Sequence, residues 1–267
     1  MQYGYCMDVN FLKGDAMSQA IFDGVAKAQF DYVELPLYTL SALSTDEVAQ
    51  LKKALQVIPC KACNIFFPFS LSIVGPNMDM DGIRAYLGRM LPMVADMGVE
   101  TLVFGNGGAR KIPEGESRES IWQNLRTIVE LMDEHAVKTG ITISVEPLNS
   151  RESNIINSYS EAVALTKGLT NVATMIDSYH VAADAQTYDD VYQHPQALRH
   201  IHIAYADGRM VPSSGDNKAL YADFVHMVKS LGYNGKVSIE GGLRATDPMG
   251  IAAEIKDSLQ ALKSLLA

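Results

Sequence analysis

The sequence predicts an α/β protein, a single-domain (β/α)8 TIM barrel spanning residues 1–267. Three observations carry this expectation. Eight short apolar runs recur along the 267 residues. Helical patterns with recognisable starts and stops lie between them. Several runs are apolar on both faces, as the strands of a parallel sheet covered on both sides must be.

The strands are expected at YGYCMDV (3–9), DYVEL (31–35), CKACNIFF (60–67), ETLVFG (100–105), ITISVE (141–146), VATMID (172–177), HIHIAY (200–205) and KVSIE (236–240). A helical pattern at 15–29 follows the first strand. The next, at 44–58, opens with Ser44 and Thr45 as candidate caps and with acids in its first turn. The pattern at 80–98 stops on Gly98, and its internal Pro92 predicts a kink. Those at 120–140 and 160–169 stop on Gly140 and start from Ser160, respectively. Patterns at 216–232 and 249–267 complete the set, whereas 183–195 reads as short and irregular. No linker or internal repeat interrupts the alternation.

A doubly wound open sheet is the alternative, but it would want a glycine fingerprint after an early strand. The nearest candidate, GNGGAR (105–110), follows the fourth strand and has Arg110 where a third glycine belongs. It reads as a flexible active-site loop. Phe66, Phe67 and Trp122 are candidates for a pocket wall, with core packing the plainer reading.

Charge narrows the function classes. Lys and Arg total 22 against 31 Asp and Glu, a formal net charge of -9. Such a chain repels phosphate backbones and anionic lipid, so no nucleic acid and no membrane partner is expected. Three cysteines, without a basic and apolar leader at the start, point to a reducing, cytoplasmic setting. Cys60 and Cys63 form the one C-x-x-C; no second Cys/His pair completes a structural zinc site, and strand alternation sends the two thiols to opposite faces. Apolar helix faces on the outside of a barrel would allow a homo-oligomer.

Barrel chemistry sits at the C-terminal strand ends. The fifth run ends on Glu146. The sixth ends on Asp177, followed by His180. The seventh carries His202, with His200 on the same face and Asp207 and Arg209 beyond. The eighth ends on Glu240. Four ligand-type residues thus close four successive strands. Three carboxylates converging on one axis need a cation, so Glu146, Asp177, His202 and Glu240 are the expected ligands of a divalent metal. Oxygen-rich donors with one imidazole suit Mn²⁺, with Mg²⁺ or Co²⁺ as alternatives.

EPLN (146–149), ESNIINS (152–158), DSYH (177–180), HIHIA with GR and Pro212 (200–212) and SIE (238–240) resemble the motifs of the xylose isomerase-like TIM-barrel superfamily. This is the sugar isomerase/epimerase group that includes ketose 3-epimerases, inosose dehydratases and hydroxypyruvate isomerases. The resemblance covers nearly the whole chain by strand order. It implies that Glu146, Asp177, His202 and Glu240 hold the metal, that Glu146 and Glu240 are the catalytic acid/base pair, and that Glu152, His180 and Arg209 bind substrate. Two departures stand out. Ser150 and Arg151 occupy positions where the epimerases carry Arg and then an aromatic, and Arg209 lies one residue further past His202 than in the epimerase pattern. Gly241 and Gly242, followed by Arg244, would leave room for a larger or anionic substrate.

The expected reaction is proton abstraction alpha to the carbonyl of a ketose or related keto-sugar, giving epimerisation or isomerisation through an enediolate. A lyase or dehydratase acting on a keto-sugar or keto-inositol shares that first step and is the alternative. A phosphodiesterase of the AP endonuclease kind would want more histidine and a basic surface. A non-catalytic sugar-binding barrel would have no use for the full ligand set.

Overall fold

A computed structural model describes all of residues 1–267. Eight parallel strands close into one barrel in sequence order: β1 (Gln2–Cys6), β2 (Tyr32–Pro36), β3 (Cys60–Asn64), β4 (Thr101–Phe104), β5 (Thr142–Val145), β6 (Val172–Asp177), β7 (Leu198–Ile203) and β8 (Lys236–Ile239), with β8 pairing back onto β1. The helices are α1 (Ala16–Ala28), α2 (Leu37–Leu40), α3 (Thr45–Ala54), α4 (Met80–Asp96), α5 (Gly107–Arg110), α6 (Arg118–Thr139), α7 (Tyr159–Thr166), α8 (Ser178–Ala183), α9 (Asp189–Gln193), α10 (Ala222–Ser230) and α11 (Pro248–Leu266). The expected (β/α)8 TIM barrel is the observed fold. No helix is long and apolar enough to cross a membrane.

Local chemistry explains most boundaries. Ser44 caps α3 in a reciprocal capping box with Glu47. Gly98 and Gly140 adopt positive φ just past α4 and α6. Helix α4 runs continuously through Pro92. Helix α7 starts at Tyr159, one residue before Ser160. Its cap is Ser158, whose hydroxyl accepts from the Glu161 amide. The pattern at 216–232 divides into a 3-10 turn at Lys218–Tyr221 followed by α10.

The two cysteines of β3 depart from simple alternation. Val33 pairs with Cys60 but Glu34 with Ala62, so β3 carries one extra residue against β2. That bulge restores Cys60 and Cys63 to one face, with their sulfurs 3.9 Å apart in the buried layer behind the strand. The expectation of opposite faces is corrected accordingly. Phe66 and Phe67 are fully buried and meet Phe104 edge-on and Tyr86 at a tilt, and Trp122, partly buried, packs against the hydrophobic core.

The strand that carries Asp177 is anchored from outside the barrel. Asp133 on α6 accepts the backbone N–H groups of Thr170, Asn171 and Val172, at 2.6–3.1 Å. The carboxylate thereby fixes where β6 begins. Replacing Asp133 by Ala orphans those donors. It is expected to lower unfolding stability by about 1–3 kcal/mol, the cost of unmet hydrogen bonds of this kind. Urea unfolding followed by circular dichroism measures it, and an unchanged midpoint would show that β6 is set by its barrel neighbours alone.

Candidate active site

The barrel interior beneath the site is polar, and one carboxylate organises it. Glu34, in the middle of β2, is fully buried. His200 Nε2 and His202 Nε2 each lie 2.9 Å from it, on Oε2 and Oε1 respectively. Ser238 donates to Glu34 Oε2 at 2.6 Å, so the Tyr32 hydroxyl, 2.8 Å from Ser238 Oγ, is the donor in its own bond to that serine. Burial opposes the charge on Glu34, but the two imidazoles hold its pKa well below the usual carboxylate range. The carboxylate therefore accepts from both rings. In His202 this commits Nε2 to the core and turns Nδ1 toward the C-terminal mouth of the barrel.

Around Nδ1 of His202 the four strand-end residues converge. Glu146 Oε1 lies 3.4 Å and Glu240 Oε2 3.2 Å from it. Ligand atoms of Glu146, Asp177, His202 and Glu240 all lie within 4.8 Å of one another. Three buried atoms facing this space, Glu146 Oε1, His180 Nε2 and His202 Nδ1, have no hydrogen-bond partner in the protein. Burial disfavours a proton on His202, yet Glu34 and Glu240 push its pKa well above the ordinary imidazole value. Glu34 acts from the Nε2 side of the ring and Glu240 from the Nδ1 side. The unpartnered Glu146 Oε1 and His202 Nδ1, with three carboxylates around one correctly turned imidazole, fit a divalent cation.

The other expected site residues surround this centre. Asn149, last residue of EPLN, holds its Oδ1 on the amides of Arg151 and Glu152. Its amide group donates to Glu152 Oε1 at 2.9 Å and to His180 Nδ1 at 2.8 Å. With Nδ1 of His180 accepting, its proton sits on Nε2, which faces the cavity near Asp177 and Glu146. Arg209 reaches Glu240 at 2.7 Å, Asp177 at 3.3 Å and Glu152 at 3.5 Å, and its guanidinium lies 4.8 Å from the Tyr179 ring centroid. The residue adopts φ +51, a conformation rare for a side chain of this size, and the β7 loop holds it there through Tyr205–Met210 pairing. Burial works against its charge, and the surrounding carboxylates raise its pKa further. Burial likewise raises Asp177, while Glu240, despite burial, is held down at about 2 by His202 and Arg209. Asp207 lies outside this group.

Several functional positions escaped the sequence reading. Glu34 carried a signal, a lone acid within an apolar strand. Asn64 Nδ2 donates to Glu240 Oε1 at 3.0 Å. Cys6 lies against Glu34 and His202, and burial raises its thiol pKa far enough to keep it neutral. The GNGGAR stretch is not a free loop. Part of it forms α5, and Arg110, fully buried, donates to the carbonyls of Phe104 and Glu146. Burial lowers the pKa of that guanidinium to about 10. Gly105 is required because a Cβ there would stand 1.7 Å from Glu146 Oε2. The Gly241–Gly242 pair does not make room for substrate. Val211 donates to Gly242 and Gly242 to Arg209, which staples the β7 loop to the chain leaving β8. Arg244 is engaged with Glu254 and Asp216 and is not part of the cavity wall.

A cavity of about 440 Å³ opens above the cluster, walled by Glu146, Glu152, His180, Arg209 and Glu240, among others. The model of the xylose isomerase-like TIM barrel family matches residues 22–265. The chain belongs to this family. Within it, the chain is 24% identical over 240 residues to D-psicose 3-epimerase of Agrobacterium fabrum, covering 85% of this chain and 80% of that protein. It is 29% identical over 141 residues to 3-dehydro-D-guloside 4-epimerase of Escherichia coli, about half of each chain (51% and 51%). Among solved structures it is similar to apo 3-keto-D-glucoside 4-epimerase from E. coli, with TM-score 0.77 and 22% identity over 99% of both chains. It also resembles a D-psicose 3-epimerase crystallised in the presence of D-fructose, with TM-score 0.81 and 19% identity over 100% of this chain and 99% of that one. These structural likenesses establish the shared xylose isomerase-like fold.

Replacing Glu34 by Ala would leave His200, His202 and Ser238 without their common acceptor in a closed interior. The expected loss is about 3–5 kcal/mol, as for other broken buried pairs. Guanidinium unfolding reads it; a loss under about 1 kcal/mol, the worth of one ordinary hydrogen bond, would remove Glu34 from its organising role.

Proposed function

We propose that this protein is a divalent-metal-dependent sugar isomerase/epimerase acting by proton abstraction alpha to the carbonyl of a ketose or related keto-sugar. The observation that carries the reading is the convergence of Glu146, Asp177, His202 and Glu240, with three buried atoms unpartnered, at the floor of one cavity. The epimerase names of the curated relatives support the reaction class.

Glu146, Asp177, His202 and Glu240 would hold the cation, Mn²⁺ by the character of its donors, which as a Lewis acid would make the C–H beside the carbonyl more acidic. The rest is the work of side chains. Glu146 and Glu240 close β5 and β8, three strands apart around the barrel, and so approach from different sides. One takes the proton from carbon. The other, protonated at that moment, returns a proton to the opposite face and inverts the centre. Glu146 presents its two oxygens differently: Oε1 faces the cluster, whereas Oε2 lies beside Gly105 on the cavity wall and accepts no hydrogen bond. That second oxygen is the one suited to proton transfer. His180, donating from Nε2, and Arg209 steady negative charge on the enediolate oxygens. Glu152, held by Asn149, orients a hydroxyl.

The test is NMR in D₂O with Mn²⁺-loaded protein and a panel of ketoses, aldoses and keto-inositols. Metal-dependent loss of a C–H signal beside the carbonyl, with an epimer or isomer appearing, is the expected outcome. Release of water or another leaving group would move the protein to the lyases, and absence of exchange across the panel would overturn the reading. Glu240→Gln is expected to abolish turnover with the fold intact by circular dichroism; full activity would exclude Glu240 as acid or base. Gly105→Ala, which forces the Glu146 carboxylate aside, is expected to cost at least about 100-fold in kcat, in line with the penalty for displacing a reacting group by an ångström. Steady-state kinetics on the exchanging sugar measures it.

A further inference from the structure

The cavity is electrically divided. Its floor holds Glu146, Asp177 and Glu240, and all three face Arg209. Its wall contains two further cations, Lys111 and Arg151. Both are exposed, whereas Glu146 and His180 are buried, so the two cations lie toward the mouth. Neither side chain makes an ion pair or a hydrogen bond with another group of the protein, whereas Arg209, the third cation of the wall, is paired.

The backbone beneath these two cations is fixed. Lys111 follows α5, and its amide donates to the Gly107 carbonyl at 3.1 Å. The neighbouring Ile112 exchanges hydrogen bonds with Asn154, tying the loop after β4 to the loop after β5. Arg151, on that second loop, has its amide on Asn149 Oδ1 at 3.1 Å. Two adjacent, mutually bonded loops thus deliver one positive charge each to one opening, in a chain of net charge -9. A neutral sugar makes little use of such a pair. A negatively charged group matches it, and a guanidinium beside an ammonium is a chemistry suited to carboxylate or phosphate oxygens.

We propose that the substrate carries an anionic group, a carboxylate or a phosphate, and that Lys111 and Arg151 bind it at the mouth of the cavity while the keto-sugar end reaches the two glutamates. This rests on the sugar isomerase/epimerase reading of the same site.

Calorimetric binding of D-fructose, D-fructose 6-phosphate and 5-keto-D-gluconate to the Mn²⁺-loaded protein tests it without requiring turnover. One of the two anions is expected to bind at least about tenfold more tightly than fructose, the scale of a single charge-assisted hydrogen bond. Which one prevails separates phosphate from carboxylate. The preference should shrink as salt rises. In the Lys111→Gln/Arg151→Gln double variant the ratio of anionic to neutral affinity is expected to fall to about one; both side chains are exposed, and an unchanged melting temperature verifies the fold. Equal affinities in the wild type, or a preference that survives the double substitution, would overturn the proposal. Exchange in D₂O is scored separately: anion preference lost on substitution but no exchange on any sugar would overturn the reaction and leave the anion site standing.

Discussion

A single buried carboxylate sets the orientation on which this site depends. Glu34 would be costly in the middle of a barrel unless both of its oxygens were hydrogen-bonded. Two imidazoles and a serine hydroxyl supply those bonds. The consequence reaches the mouth of the barrel. With Nε2 of His202 committed below, Nδ1 has to point up, and the strand-end carboxylates gather around it. The metal-type cluster is thus the upper half of a polar column whose lower half is structural. A side chain that touches nothing in the cavity decides which nitrogen faces it.

The loops above the strands repeat this logic with backbone. Arg110 ties the end of β4 to the residue just past β5 by donating to the carbonyls of Phe104 and Glu146, so the backbone of Glu146 is itself held. Asn149 divides its amide between the loop that carries Glu152 and the ring of His180, setting both. The pairing of the β7 loop with the glycines after β8 holds Arg209 in a backbone conformation it would rarely choose. Glu146, Glu152, His180 and Arg209, all on the cavity wall, are therefore each fixed by a partner that is not.

Much of this was legible in the sequence, and the gaps have physical causes. The barrel followed from the recurrence of buried runs. The four converging residues followed from their joint position at four successive strand ends; one such acid alone reads as a helix cap, and Asp177 does also cap α8. Glu34 was missed because it interrupts a run instead of ending it. The clue was the demand that any buried acid makes for partners, which His200 and His202, sharing one face, were placed to meet. Cys60 and Cys63 were placed on opposite faces because alternation assumes an unbroken register, and the bulge in β3 is visible only in the pairing with β2. Gly241 and Gly242 looked like open space because a missing side chain can serve a ligand or another stretch of backbone, and here it serves backbone. The start at Ser160 overlooks Ser158, which has Glu161 three residues on, the spacing that marks a helix start.

The polar column also ties assembly of the site to closure of the sheet. Glu34 and His202 are 168 residues apart in the chain. Strands β5 to β8 and the residues just past them supply all four converging residues, yet on their own they lack the carboxylate that accepts from both histidines. Contacts between such distant segments form late, after the entropy of a long loop has been spent. The second half of the barrel thus depends on the first for the group that orients His202.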